Sequence, residues 1–193
     1  MDPAVLRDDM VDGLEYALDD VDERVAAAMR TVPRRPFVEE GTYDDRETTD
    51  AATGTRILAP TTAARLLDAL AVDGDDRVLV VGAGVGYTAA VLAEMVGPTR
   101  VHAVDIARDA VLSARRNLAE AGYGAALVDC RDGADGLPEY APFDRVLVEA
   151  AAVSPPRRLL GQVSEGGRLV LPLGGPDQTL TAVGPAEGES GGG

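Results

Sequence analysis

The sequence of 193 residues is long enough for one domain with a full core, and its 33 acidic and 18 basic residues give a net charge of −15. So acidic a chain repels phosphate backbones and anionic lipids, which argues against nucleic acid and membrane surfaces as partners. All of its basic residues are arginine. We expect no signal peptide, and no apolar run approaches the ~20 residues of a membrane helix, so we predict a cytoplasmic protein. The acidity also predicts a protein from a high-salt organism, where salt screens the repulsion between like charges.

The first 31 residues predict two helices. Asp2 followed by Pro3 is typical of a helix start, and a second helix is expected over residues 22–31, before Pro33 and Pro36. Residues 37–59 are polar, rich in threonine and without clear periodicity. A long segment of this kind is either a lid or binding loop or a plain surface connection, and the sequence does not distinguish the two. Another helix is expected from Thr61 to residue 70.

A buried strand and a glycine loop form the centre of the predicted fold. The apolar run Val78–Val81 is followed by glycine at alternate positions, Gly82, Gly84 and Gly86, and then by a helical pattern. An uninterrupted apolar run indicates a parallel strand covered on both faces. Glycine lets a ligand lie against the main chain. This pattern predicts the first strand, loop and helix of a nucleotide-binding α/β fold.

The spacing of the glycines indicates which nucleotide binds. A dinucleotide loop would need glycine at position 87, where Tyr87 stands. Nineteen residues after Gly86, Asp105 ends a second predicted strand, where a carboxylate can accept both hydroxyls of a ribose. The combination favours S-adenosyl-L-methionine over a dinucleotide; glycines that serve only a tight turn are the remaining alternative.

Beyond Asp105 the strand and helix pattern repeats. We expect a helix over residues 108–121 with Leu112 facing inward, strands over residues 125–130, 143–149 and 168–173, and a last strand, Thr179–Val183. A short helix should end at residue 163 and a Gly166-Gly167 turn should follow it. This alternation predicts a mostly parallel sheet with helices on both faces. Residues 186–193 are too polar and rich in glycine to order themselves.

Parallel strands bring several polar residues to one edge of the sheet. Asp132 could accept a hydrogen bond from an adenine amine or merely form an Asp-Gly turn, and Glu149 faces either substrate or an ion pair. His102 is predicted to be a packed, neutral side chain, and Cys130 to be a core residue. The acidic clusters lack the spacing of a calcium loop, so no metal site is expected. The predicted cofactor-binding residues are Gly82, Ala83, Gly84, Gly86, Asp105, Ile106, Asp132 and Gly133.

Several stretches resemble the protein-L-isoaspartate O-methyltransferase family. They include the Val-Pro-Arg-Arg-Pro-Phe-Val run from Val32, the glycine loop, Asp132-Gly133, and the run from Gly166 to Gly174, over roughly residues 20–183. The resemblance implies a Rossmann-like class I methyltransferase fold with an N-terminal helical extension. It also implies methyl transfer from S-adenosyl-L-methionine to the carboxylates of isoaspartyl residues in damaged proteins or peptides.

The sequence departs from the family on the substrate side. The family's motif Gly-Gln-Thr-Ile-Ser-Gln-Pro corresponds here to residues 54–60, and Leu58 stands where the substrate-contacting serine belongs. The histidine that usually precedes that motif is absent too, and the family continues for some tens of residues past the last strand, whereas this sequence ends at Gly193. Thr55, Thr61 or Thr62 could supply a replacement hydroxyl, and Arg56 could hold a substrate carboxylate.

Three functional hypotheses follow. The chain is an isoaspartyl methyltransferase, a methyltransferase for another acceptor, or a cofactor-binding protein without useful catalysis that pairs with an active relative. In each case we expect a single domain over residues 1–185, with helices and a substrate-side loop in 1–59, a cofactor-binding core in 60–185 and a flexible tail in 186–193. The sequence identifies neither a catalytic residue nor the oligomeric state.

Overall fold

The computed structural model describes residues 2–150, 154–174 and 179–184. Its helices are α1 (Pro3–Ala17), α2 (Glu23–Thr31), α3 (Pro60–Leu70), α4 (Tyr87–Val96), α5 (Arg108–Glu120) and α6 (Arg157–Leu160). Its strands are β1 (Thr48–Thr49), β2 (Arg56–Ile57), β3 (Val78–Val81), β4 (Val101–Asp105), β5 (Leu127–Cys130), β6 (Phe143–Val148), β7 (Val163–Leu173) and β8 (Thr179–Val183). The predicted flexible tail, residues 186–193, lies outside the described residues.

The main sheet has the strand order β5-β4-β3-β6-β7-β8 and is parallel except for β8. All four residues of β3 are buried, because helices cover both faces of a parallel sheet. Val81 is in register with Val104 of β4 and with Val148 of β6. Because of this register, the residues that follow these three strands lie side by side at the carboxyl-terminal edge of the sheet. The predicted α/β architecture, a mostly parallel Rossmann-like sheet with helices on both faces, is confirmed.

Helices α1 and α2 form the N-terminal extension. The side chains of Asp2 and Asp22 cap them by accepting hydrogen bonds from the backbone N–H groups of Ala4 and Arg24, at 2.9 Å and 2.8 Å. α1 packs against α2 and α3, and α2 also contacts α4. These contacts bury one face of each helix, so the extension belongs to the same core as the sheet. In the described part of the chain, no helix combines the length and apolar character needed to cross a membrane.

The polar segment over residues 37–59 has a defined structure. β1 and β2 pair in antiparallel fashion, with Thr48 opposite Ile57, and Phe37 and Ile57 are buried in the core. This small sheet carries Arg56 and the following Leu58 to cavities at the glycine loop. The placement favours a binding segment over a plain surface connection.

Four local predictions were wrong. Gly166 and Gly167 lie inside β7 at an irregularity in its pairing with β6, where Gly166 has φ +76°. The turn was predicted because a β-bulge and a turn both favour glycine. The helix α6 ends at Leu160 rather than at residue 163. Leu112 is 50% exposed. Cys130 is exposed because β5 is an edge strand of the sheet.

His102 is packed, as predicted. Its ring lies 4.7 Å from that of Tyr140 and 5.6 Å from that of Phe143, measured between centroids. Burial lowers the pKa of His102, and the nearby Arg77 acts in the same direction. The neutral imidazole is therefore a packed, buried side chain of β4.

Candidate active site

The glycine loop between β3 and α4 is held in place by backbone hydrogen bonds. Gly82 and Gly84 have φ of +85° and +55°, a region that other residues rarely adopt. The N–H groups of Gly82 and Ala83 both donate to the carbonyl of Val104, at 2.9 Å and 3.0 Å. From the other side, the buried amide of Asn117 donates to the carbonyl of Val85 at 3.0 Å. The loop is thus fixed between β4 and α5 before any ligand binds.

Gly86 serves packing rather than the wall of a cavity. It has φ +94°, and a Cβ atom there would lie 3.3 Å from the Cβ of Ala114 and 3.4 Å from Leu118 on α5. The third glycine therefore allows the start of α4 to lie against α5, which is one of the known uses of glycine in nucleotide-binding folds. Of the predicted cofactor residues, Gly86 is therefore the one that faces α5.

An open cleft of about 340 Å³ lies beyond the carboxyl ends of β3 and β4. It brings together five of the predicted cofactor residues: Gly82, Asp105, Ile106, Asp132 and Gly133. Val104, Val148 and Leu159 add apolar surface to its walls. A cleft with an apolar body and carboxylates at its rim suits a nucleoside, whose base is flat and whose ribose carries hydroxyls.

Asp105 organises the rim of this cleft. Its Oδ2 accepts the N–H of Gly84 at 3.0 Å, and its Oδ1 accepts the N–H of Ala107 at 2.9 Å. A carboxylate offers about four lone pairs, so each oxygen retains the capacity to accept a further donor from a ligand. Asp132 caps a short turn by accepting the N–H of Ala134 at 2.9 Å. That bond fits the turn-forming alternative, and it leaves Asp132 in the lining of the cleft.

Gly133 lines the cleft at a position that has no room for a larger residue. A Cβ atom on it would lie 2.3 Å from Cγ1 of Val81. We expect Gly133→Ala to lower the free energy of unfolding by about 1–3 kcal/mol, since a stiff valine on a central strand cannot move aside without strain. Denaturant unfolding measures this.

Gly13→Ala is the matched control, since Gly13 is exposed on α1 with nothing within 4 Å of the added methyl group. That change should raise stability by about 0.5–1 kcal/mol. Equal stability of Gly133→Ala and the wild-type protein would contradict the crowding argument.

A second cavity of about 300 Å³, here called the acceptor cavity, adjoins the cleft. The two share Gly82, Asp105 and Ala150 in their linings. Three of the four substrate-side candidates, Thr55, Arg56 and Leu58, line the acceptor cavity together with Gly84 and Glu149. Thr61 is placed elsewhere, since its N–H donates to Oδ1 of Asp45 at 2.9 Å and its hydroxyl bonds to the same carboxylate.

Arg56 provides the positive charge of the acceptor cavity. It forms an ion pair with Glu47 at 2.6 Å, and this hydrogen bond raises the pKa of Arg56 and lowers that of Glu47. More than half of the Arg56 side chain is exposed (58%), so water screens the pair. The guanidinium is therefore a cation at the mouth of the cavity with room to turn toward an incoming carboxylate.

Glu149 is the functional candidate that sequence reasoning left undecided. It directly follows β6, its N–H donates to the carbonyl of Val81 at 2.9 Å, and Oε1 accepts a hydrogen bond from the hydroxyl of Thr88 on α4. Burial of the carboxyl group raises the pKa of Glu149 to about 7; Thr88 opposes this shift, Asp105 adds to it and Arg56 opposes it. The signal available in the sequence is an acid that ends a strand beside the glycine loop.

Arg34 is a buried residue of the site to which the sequence analysis assigned no role. It is only 1% exposed, and it donates from Nε to the carbonyl of Thr42 at 2.7 Å and from Nη2 to the carbonyl of Leu58 at 3.1 Å. Its guanidinium lies 4.3 Å from the centroid of the Tyr87 ring. Arg34 thereby ties the segment that carries Leu58 to the first turn of α4, and so to the glycine loop.

A profile of the family "Protein-L-isoaspartate(D-aspartate) O-methyltransferase" matches residues 7–190. The chain belongs to this family. Among curated members, the protein-L-isoaspartate O-methyltransferase of Aeropyrum pernix is 43% identical over 167 residues, which cover 83% of this chain and 64% of that protein. The Methanosarcina mazei enzyme of the same name is 39% identical over 184 residues, 92% of this chain and 74% of that protein. The chain thus spans about two thirds to three quarters of the length of these family members.

Solved structures of the family share the fold. A protein-L-isoaspartate O-methyltransferase structure superimposes with a TM-score of 0.76 at 28% identity, covering 86% of this chain and 55% of that one. A Plasmodium falciparum structure described by the same name, in complex with S-adenosyl-L-homocysteine, gives a TM-score of 0.82 at 22% identity, covering 94% of this chain and 91% of that one. Within residues 2–150, 154–174 and 179–184, the family member described here has no group of three or more His, Cys, Asp or Glu side chains that could hold a metal ion.

Proposed function

We propose that the chain binds S-adenosyl-L-methionine and transfers its methyl group to the side-chain carboxylate of isoaspartyl residues in damaged proteins and peptides. The observation that carries the proposal is the pair of adjoining cavities that share Gly82, Asp105 and Ala150. One is shaped for a nucleoside, and the other carries a cation, Arg56, suited to an acidic substrate. Membership of the family supports the same assignment.

The proposed cofactor residues act by binding and orientation. Asp105 would accept the ribose hydroxyls, Asp132 and the apolar walls would hold the adenine, and the backbone of Gly82, Ala83 and Gly84 would let the rest of the cofactor lie against the loop. When bound, the sulfonium supplies an activated methyl group. Because the loop is already fixed to β4 and α5, little ordering remains to be done at binding.

The proposed acceptor needs no general base. A carboxylate with an unperturbed pKa of about 4 is ionised at neutral pH and is itself the nucleophile. One of its oxygens would take the methyl group that bound S-adenosyl-L-methionine supplies, with a methyl ester and S-adenosyl-L-homocysteine as the products. The task of the protein is to hold that oxygen in line with the C–S bond, which is mainly a matter of positioning.

Leu58 gives a direct test of the acceptor. If the site methylates isoaspartyl peptide, we expect Leu58→Ser to raise the rate by about 10-fold or more and to leave cofactor affinity nearly unchanged, because an added hydroxyl would align the acceptor oxygen mainly in the transition state. The measurement is transfer from radiolabelled S-adenosyl-L-methionine to an isoaspartyl peptide in molar salt.

Leu58→Ala is the matched control, since it removes the apolar side chain without adding a hydroxyl. Loss of activity on a different acceptor in Leu58→Ser, with no gain on isoaspartyl peptide, would contradict the proposal and favour an apolar acceptor pocket. Firm cofactor binding without turnover by any of the three proteins would favour the non-catalytic alternative.

We further propose that residues 1–185 act as one methyltransferase domain, with residues 1–59 contributing the substrate side and residues 60–185 the cofactor side. The packing of α1 and α2 on the core helices supports this. The charge of −15 supports a salt-adapted cytoplasmic protein whose partner is protein or peptide rather than nucleic acid or membrane.

A further inference from the structure

The acceptor cavity contains a carboxyl group that a site for an acidic substrate would be expected to avoid. Glu149 lines it together with Arg56 and Leu58, and the same three residues also line a second, small cavity of about 20 Å³. Two carboxylates in one partly buried space repel each other, so an ionised Glu149 would oppose the proposed substrate. The residue therefore either excludes carboxylates or binds them in its neutral form.

The surroundings of Glu149 favour the neutral form. Thr88 is buried on α4 and holds Oε1, so the carboxyl group is fixed in position. Of the charged groups that face it, Asp105 at the end of β4 disfavours a second negative charge, while Arg56 on β2 favours one but is paired with Glu47. Tyr87, at the start of α4, lines the small cavity, and burial raises the pKa of its phenol, so the phenol adds no negative charge there.

The cavity also lacks a hydroxyl donor at the position where the resemblance to the family places serine. Leu58 occupies it, and the remaining polar side chains of the acceptor cavity are Thr55, Arg56, Asp105 and Glu149. The Thr55 hydroxyl accepts a hydrogen bond from the Thr53 hydroxyl at 2.7 Å, and Asp105 accepts the N–H of Gly84 in the loop. Thr55 keeps its own O–H but lines only the acceptor cavity, whereas a neutral Glu149 is an O–H donor that lines both cavities and is held in place by Thr88.

We propose that Glu149 is an acceptor-binding residue that donates its carboxyl O–H to the substrate carboxylate and so takes the place of the missing serine hydroxyl. This inference rests on the proposed function. In the transfer step the C–S bond breaks, the C–O bond forms, and the sulfur keeps the electron pair. The proton stays on Glu149 throughout, so the residue positions the acceptor and is not consumed.

The consequence is an unusual pH dependence. With a pKa of about 7, the protonated fraction of Glu149 falls roughly 5- to 10-fold between pH 6 and pH 8. The substrate carboxylate and Arg56 keep their charges over this range. The value of kcat/KM on isoaspartyl peptide should therefore fall about 5- to 10-fold from pH 6 to pH 8.

The test compares wild type with Glu149→Gln, whose amide still donates a hydrogen bond but does not titrate. We expect Glu149→Gln to keep activity at pH 6 within about 3-fold of wild type and to show no fall by pH 8. Glu165→Gln, an exposed position on β7, is the matched control and should keep the wild-type profile. As a readout without turnover, calorimetric binding of isoaspartyl peptide to the protein saturated with S-adenosyl-L-homocysteine should weaken with rising pH in wild type and in Glu165→Gln, but not in Glu149→Gln.

The outcomes separate the two proposals. Transfer with the same pH profile in wild type and Glu149→Gln overturns the role of Glu149 and leaves the proposed function standing. Activity that rises with pH and is abolished in Glu149→Gln overturns it too, because Glu149 would then be a general base for a different acceptor. Firm cofactor binding with no transfer to isoaspartyl peptide at any pH overturns both proposals.

Discussion

Arg34→Met is expected to lower the free energy of unfolding by about 2–4 kcal/mol. The change leaves the carbonyl groups of Thr42 and Leu58 without their donor, and each such loss costs about 1–3 kcal/mol. It also removes the contact of the guanidinium with the Tyr87 ring, worth about 0.5–2 kcal/mol. The variant no longer carries the desolvation cost of a buried guanidinium, which offsets part of this loss of stability. Chemical denaturation at fixed salt measures the difference.

Arg35 supplies the control, because it is the neighbouring residue and is exposed. Arg35→Met should change stability by less than about 0.5 kcal/mol. Arg34→Lys should fall between the two, since an ammonium keeps the charge but cannot reproduce the planar fork of donors. If Arg34→Met were as stable as Arg35→Met, water would have to satisfy both carbonyls, and the proposed tie between Leu58 and α4 would be wrong.

Asp105→Ala is expected to weaken binding of S-adenosyl-L-homocysteine by about 10- to 150-fold, or about 1.5–3 kcal/mol. Two effects add. The proposed ribose hydroxyls lose a charged acceptor, and the N–H of Gly84 loses the carboxylate that holds the loop. Titration calorimetry in molar salt measures the affinity, and high salt keeps the overall charge from dominating the result.

Asp109→Ala is the appropriate comparison. Asp109 is exposed in the first turn of α5, so its removal changes the net charge equally without touching the cleft. We expect its affinity to match wild type within about 2-fold, since surface charges contribute little at this salt concentration. Equal affinity of Asp105→Ala and Asp109→Ala would remove Asp105 from the proposed cofactor site.

The residues that line the cleft of the proposed cofactor site could be predicted from sequence because the signals for them are local. The run Val78–Val81, the alternate glycines and Asp105 follow from rules about strands, positive φ and the edge of a parallel sheet. The glycine pair at Gly166 was misread because a bulge and a turn make the same demand on the backbone.

The substrate side depends on contacts between distant segments. Arg34 reaches Leu58 across 24 positions, and Thr88 reaches Glu149 across 61. The hydrophobic pattern of a sequence does not predict contacts between residues so far apart. The raised pKa of Glu149 is caused by burial, which exists only in the folded chain. Cys130 was assigned to the core because the sequence does not reveal that β5 is the outermost parallel strand.

That exposed thiol has a practical consequence. Cys130 is the sole cysteine of the chain, and its Sγ lies 3.7 Å from the carbonyl oxygen of Ile106, a residue of the cleft wall whose surface is 74% exposed. A fluorophore attached through maleimide chemistry would therefore sit at a single, known point on the rim. Its emission would report occupancy of the cleft in real time, with no need to remove other thiols first.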